Sequence, residues 1–399
     1  ADDGLLVKRA QAVITDPASE AAQLALIAHV REHHQLDRRL IRNRRQVLAR
    51  LAKESGIQAF APTTRSREMV PFTPDANEAA VRVAMAAYRS ALVTAETPPR
   101  LAHWLVQVEL ALAAHPSVLE RLLAMRATVL PDPEEFAEYA LRARPGETLA
   151  QVLRSDLSEN EIASHVAISA ACHCDRAGEP AALEALRTAV GTWLTQAKRK
   201  PTARLTALIT RLKTFWIEHP QEKVLVFTTH ALAVEPLAEA LRTAFGEDSV
   251  ETFGAHQDTV EREEAARRFQ ADDRCPLLVC DPLGGEGRNF QFVSVIAHHD
   301  LPWSLAAVEQ RIGRVDRLGR DGDIPSWLLT PTDPAAVDAA WSTLLDDAVG
   351  VFTASSSGLE FVSDAIETLA VDAALRGGGV AVRAAIPRAV ALVAAERDA

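Results

Sequence analysis

From residue 201 onward, short apolar runs alternate with longer stretches of helical rhythm. Lys223-Val224-Leu225-Val226-Phe227, Leu277-Leu278-Val279-Cys280, Val293-Ser294-Val295-Ile296-Ala297 and Trp327-Leu328-Leu329 are the apolar runs. Their length and their polar boundaries predict strands buried on both faces. Between them, a helix over 202–218 is followed by one carrying Leu232, Leu237, Leu241 and Phe245, which Gly246 stops. A third helix, over 259–270, carries Phe269 and opens on Asp258 and Glu261, the spacing of a capping box. Strands alternating with helices predict a parallel sheet, and such sheets place ligands at the carboxyl ends of their strands.

The rest of the chain has a different rhythm. Residues 76–200 are rich in Ala and Leu at helical spacing, with Asp75-Ala76-Asn77-Glu78 opening one helix. Pro131-Asp132-Pro133 and Ala143-Arg144-Pro145-Gly146 punctuate later ones. Residues 1–75 read as helical with a basic middle and end in an extended piece, Glu68 to Pro74. Residues 333–399 are again helical, with Gly377-Gly378-Gly379 expected to be flexible, and no internal repeat is visible.

Composition narrows the class. With 48% hydrophobic and 24% charged residues, 399 residues suffice for two or three buried cores, and no apolar run approaches the roughly 20 residues that cross a bilayer. A net charge of −11 argues against a protein that coats nucleic acid, yet basic residues cluster locally. Arg38, Arg39, Arg42, Arg44 and Arg45 form one cluster, and Lys198, Arg199, Lys200 and Arg204 form another. Four cysteines suggest a reducing, cytoplasmic setting. Cys172-His173-Cys174 has spacing poorly suited to one zinc and no second ligand pair nearby, so no metal site is expected. The start at Ala1-Asp2-Asp3-Gly4 suggests a chain cut from something longer.

The polar clusters fall at the carboxyl ends of the predicted strands. Thr228, Thr229 and His230 follow the first, and a loop holding Gly284, Gly285, Glu286, Gly287, Arg288, Asn289 and Gln291 follows the second. Glycines let backbone amides approach phosphate oxygens, and Arg288, Asn289 and Gln291 add donors. His298, His299 and Asp300 follow the third strand, and then comes Gln310-Arg311-Ile312-Gly313-Arg314-Val315-Asp316-Arg317-Leu318-Gly319-Arg320. Gln310, Arg314 and Arg317 are spaced i, i+4 and i+7, which predicts one helical face and a phosphate clamp.

This ordered set resembles the second RecA-like lobe of superfamily 2 helicases, in the Swi/Snf branch and nearest its RapA-like ATPases. The likeness is specific over 200–345 and fainter over 37–72, where a basic linker and extended strand resemble those joining the family's two lobes. It implies an α/β fold: a RecA-like parallel sheet flanked by helices, with a large mainly helical N-terminal region and a helical C-terminal tail. The expected segments are a linker over 1–75, a helical insertion over 76–200, the lobe over 201–345 and the tail over 346–399. Carried over by motif, Arg314 and Arg317 match arginine fingers for the γ-phosphate of ATP, and Gln310 opens their motif. Gly285, Gly287 and Asn289 match the loop that couples nucleotide to DNA. Thr228, Thr229 and His230 match a nucleic-acid contact, to which Arg288 and Gln291 add donors. Arg320 stands where the family usually has Gln, and Gly254-Ala255-His256 stands where a His-Gly pair is expected.

No Gly-x-x-x-x-Gly-Lys-Ser/Thr loop and no Asp-Glu magnesium box occurs in the 399 residues. ATP and Mg²⁺ are therefore expected on a first RecA-like lobe outside them, and residues 1–399 alone are expected not to hydrolyse ATP. The implied partners are double-stranded DNA, that first lobe, and RNA polymerase or the subunits of a phage-defence system. The alternative is a helicase lobe kept only as a non-catalytic module that binds nucleic acid or protein.

Overall fold

The computed structural model describes residues 64–129 apart from 95, 96 and 98, then 178–282, 289–316 and 320–398 apart from 321, 357 and 360, with a few positions between 8 and 19. The chain divides into two units, Ala1–Pro62 and Thr63–Ala399. In the first, residues 11, 12, 14 and 15 are helical. The first basic cluster, Arg38 to Arg45, lies outside the described residues, as do Cys172, His173 and Cys174.

The second unit is built on one sheet. Its strands are β1 (Arg65–Phe72), β2 (Val224–Phe227), β3 (Val250–Phe253), β4 (Leu277–Cys280), β5 (Val295–His298) and β6 (Ile324–Pro331). They lie in the order β1-β6-β5-β2-β4-β3, and every pairing is parallel. Every residue of β2, β4 and β5 is buried, as expected for strands covered on both faces. The α/β reading therefore holds, with flanking helices.

Among the described residues, four helices between β1 and residue 200 share a core: α1 (Ala76–Leu92), α2 (Pro99–Ala114), α3 (Pro116–Val129) and α4 (Glu179–Ala197). The buried Arg126 guanidinium grips Glu179 through Nε and Nη2 at 2.8 and 3.0 Å. Tyr88 donates to the same carboxylate at 2.9 Å and accepts from Trp104 Nε1 at 3.0 Å. A buried cation is tolerable only when paired this fully.

Around the sheet lie α5 (Ala203–Glu218), α6 (Ala231–Phe245), α7 (Thr259–Ala271), α8 (Leu305–Gly313), α9 (Val337–Leu344) and α10 (Ser363–Asp398). Local chemistry sets their ends. Asp258 and Glu261 form the expected capping box of α7, Thr202 caps α5, and Gly246 closes α6 at φ 107°.

Three expectations change. The extended piece is a strand that begins at Arg65 and joins the sheet, in register with β6 from Arg65 opposite Ile324 to Phe72 opposite Pro331. The three glycines are packed rather than flexible. Gly378 sits at φ 62°, and a Cβ on Gly379 would come within 2.4 Å of the Ala336 carbonyl oxygen. Finally, Ser363–Arg397 is long and apolar enough, by length and composition, to cross a membrane. Its backbone breaks at Gly377 and Gly378, and Ile366, Ala370, Val371 and Ala374 are buried in the core.

Candidate helicase-type functional site

The parallel register aligns the ends of the central strands, because Phe227 lies opposite both Cys280 and His298. The chain beyond each strand continues this pairing: the Thr228 amide donates to Cys280 O, and the His299 amide to Phe227 O, both at 2.9 Å. Thr228, Thr229, Asp281 and Asp300 therefore gather at one sheet edge.

Asp300 is the hub of that edge. Its carboxylate accepts from Thr228 Oγ1 and from the Thr229 amide, each at 2.6 Å, and from the Thr229 hydroxyl. Arg311 donates to the Asp300 carbonyl oxygen at 2.7 Å, and its guanidinium lies 3.7 Å from the carboxylate and over the Phe227 ring. Burial lowers the Arg311 pKa against the raising influence of Asp300. The Thr228 and Thr229 hydroxyls are thus turned inward, and His230 is fully buried. These three residues hold the strand end, where sequence reasoning placed them against nucleic acid.

Beside this edge the Asp281 carboxylate accepts from the Ala255 amide at 2.6 Å. A Cβ on Gly254 would meet that carboxylate at 2.7 Å, which accounts for glycine in the Gly254-Ala255-His256 loop.

The Gly-rich loop and the arginine segment are joined directly. The Phe290 amide donates to the Arg314 carbonyl oxygen at 3.0 Å. Arg320 Nη1 donates to the carbonyls of Gln291 and Val293 at 2.5 and 2.7 Å, and Nη2 to that of Asp323 at 3.1 Å. Asn289 and Gln291 bond each other, side chain to side chain at 3.0 Å. Gly285, Gly287, Arg288 and Arg317 lie outside the described residues.

The predicted shared helical face is corrected. Gln310 is exposed on α8, but the helix ends at Gly313, and Arg314 caps it with its amide 3.3 Å from Arg311 O. Glycine is a poor helix former, and beyond it the amides of Val315 and Asp316 both turn back onto the Ile312 carbonyl, at 3.1 and 2.9 Å.

Arg204 corrects the second basic cluster. It is buried, donates to the carbonyls of His299 and Leu329 at 2.8 and 2.9 Å, and pairs with Asp338. Burial alone would raise the Asp338 carboxyl, but Arg82 and Arg204 overcome it and hold the pKa at about 2. Lys198, Arg199 and Lys200 are exposed. Sequence reasoning also missed Arg65, whose partners lie far along the chain.

A parallel sheet of this order, with a loop and an arginine segment bonded at its edge, is a RecA-like α/β arrangement. Residues 204–319 match the helicase conserved C-terminal domain. Parts of the chain are similar in sequence to RapA. The RNA polymerase-associated protein RapA of Sodalis glossinidius (strain morsitans) is 41% identical over 111 residues, 28% of this chain and 11% of that protein. RapA of Vibrio cholerae serotype O1 (strain M66-2) is 34% identical over 161 residues, 40% of this chain and 16% of that protein. The matched part is thus a small share of those relatives' length. Among solved structures, the C-terminal part of the Fun30 ATPase domain is 14% identical with a TM-score of 0.42, covering 78% of this chain and 97% of that one. The Sulfolobus solfataricus SWI2/SNF2 ATPase core in complex with dsDNA is 12% identical with a TM-score of 0.40, covering 78% and 49%.

Proposed function

We propose that this chain supplies the second motor lobe of an ATP-driven translocase on double-stranded DNA. The observation that carries this reading is the bond between the two functional segments. With Phe290 donating to Arg314 and Arg320 donating to Gln291, the loop facing the DNA backbone and the segment bearing the fingers form one piece.

On this reading Arg314 and Arg317 reach across a cleft to the γ-phosphate of ATP held by a first lobe, with Gln310 beside them. Arginine forks placed there stabilise charge as the phosphoryl group transfers. Gly285, Gly287 and Asn289 pass strain from that cleft to the duplex, and Arg288 and Gln291 follow phosphates of one strand. Thr228, Thr229 and His230 shape the strand end behind them. On this reading Mg²⁺ is held by the first lobe together with the ATP phosphates. The motor would act in the cytoplasm and remodel protein–DNA complexes, those of RNA polymerase or those met by a phage-defence system.

DNA-stimulated ATP hydrolysis by the full-length protein tests the reading. Arg314→Ala and Arg317→Ala should each lower kcat by roughly 10³-fold or more. Wild-type turnover in both variants would refute it, and turnover by residues 1–399 alone would refute the assignment of ATP to a separate lobe.

A further inference from the structure

Arg65 opens β1, and its buried guanidinium is directed at the segment around Arg314. Nε donates to Asp316 Oδ2 at 2.8 Å, while Nη1 and Nη2 fork onto the Glu309 carboxylate at 2.9 and 2.6 Å. Nη1 also lies 3.0 and 3.1 Å from the carbonyls of Val351 and Ala354. Glu309 precedes Arg314 and Asp316 follows it, so one guanidinium clamps the chain on both sides of the finger position. The Glu309 carboxylate is further fixed by the Ser356 amide at 3.2 Å and its hydroxyl at 3.0 Å. The Phe290 amide in turn holds the Arg314 carbonyl at 3.0 Å. The segment carrying Arg314 is thus held at three points, Glu309, Asp316 and the Arg314 carbonyl itself.

We propose that Arg65 is a positioning residue: by bracketing Arg314 it sets where that guanidinium points, and it passes to the finger segment any displacement of the strand that opens the lobe. This rests on the reading of Arg314 as a finger for ATP. A fork on two carboxylates suits the task because arginine engages both at fixed angles, which a lysine ammonium cannot. Phosphoryl transfer is sensitive to such placement, since a misplacement of about 1 Å can cost roughly 10²-fold in rate.

The test uses the full-length protein, double-stranded DNA and ATP, at a temperature well below the melting point of every variant. Arg65→Gln should lower kcat roughly 10- to 100-fold while KM for ATP and affinity for DNA stay near wild type. Arg65→Lys should recover part of the loss, and Arg65→Gln combined with Arg314→Ala should be no slower than Arg314→Ala alone. Glu309→Gln weakens the clamp from its other side and should reproduce the kcat loss if Arg65→Gln folds poorly. Multiplicative losses in the double variant, or a lowered melting temperature with kcat unchanged, would overturn the positioning role and leave the finger reading standing. Wild-type turnover by Arg314→Ala would sink that reading and the positioning role with it.

Discussion

Arg311→Met should be among the most destabilising single changes near the site. Arg311 and Asp300 are 3% and 2% exposed, so neither charge can be solvated once the other is removed. At their 3.7 Å separation, Coulomb attraction is worth about 4 kcal/mol in an effective dielectric of about 20. Met also forfeits the 2.7 Å bond to the Asp300 carbonyl, worth about 1.5–3 kcal/mol for a charged donor. Against this, the arginine no longer has to be desolvated, and Asp300 keeps the three donors on Thr228 and Thr229. The net cost should sit near the lower end for a broken buried pair, about 3 kcal/mol. Asp300→Asn should cost a similar amount. The double variant buries no net charge and should cost at least about 2 kcal/mol less than the sum. Urea unfolding can be followed through tryptophan fluorescence, because Trp303 and Trp341 stack 5.1 Å apart. A cost below about 1 kcal/mol for Arg311→Met, or additivity within about 0.5 kcal/mol, would refute the reasoning.

Gly379→Ala should lower the melting temperature by the equivalent of about 2 kcal/mol or more, since its Cβ would sit 2.4 Å from a backbone oxygen. Gly191→Ala, mid-helix with nothing within 4 Å, should instead gain about 0.5–1 kcal/mol; equal melting of the two variants would disprove the packed turn. Burial, with help from Arg204 and Arg311 and against Asp300, pushes His299 from 6.5 to about 4. The unfolded chain then binds the extra proton between those values, so stability should be full above pH 6.5 and fall toward pH 4, by on the order of 3 kcal/mol for this residue. A urea midpoint that is constant from pH 7 to 4.5 would contradict this. Replacing Lys198, Arg199 and Lys200 together with Ala should weaken duplex DNA binding and flatten its dependence on salt by about two to three counterions; an unchanged slope would remove that turn from the DNA path.

The interior of the sheet was legible because its strands are buried on both faces and read as unbroken apolar runs. β3 was not, since Val250-Glu251-Thr252-Phe253 has a half-exposed Glu251 in a four-residue strand. β1 read as a connection for another reason. Its burial alternates irregularly, and its neighbour among the described residues, β6, lies at the far end of the lobe's sequence. A pattern within eight residues cannot announce so distant a partner. The helix carrying the arginines was visible, but its end was not. Polar side chains at helical spacing continue through Arg317, whereas the helix ends at Gly313 with Arg314 as its cap.

The arginines themselves show why charge read from composition misleads. In sequence, Arg204, Arg311, Arg314 and Arg320 look like one reservoir of positive charge awaiting phosphate. Arg204 and Arg311 are buried beside Asp338 and Asp300, and each also donates to a main-chain carbonyl. Their charge is balanced internally and fixes strand ends. Arg320 is different, because its bonds go to three carbonyl oxygens, which take its donors without cancelling its charge. It therefore staples the two segments through main-chain oxygens, while the Asp316 and Glu222 carboxylates attract its charge. Gln in its place would keep one or two of those bonds and lose the charge.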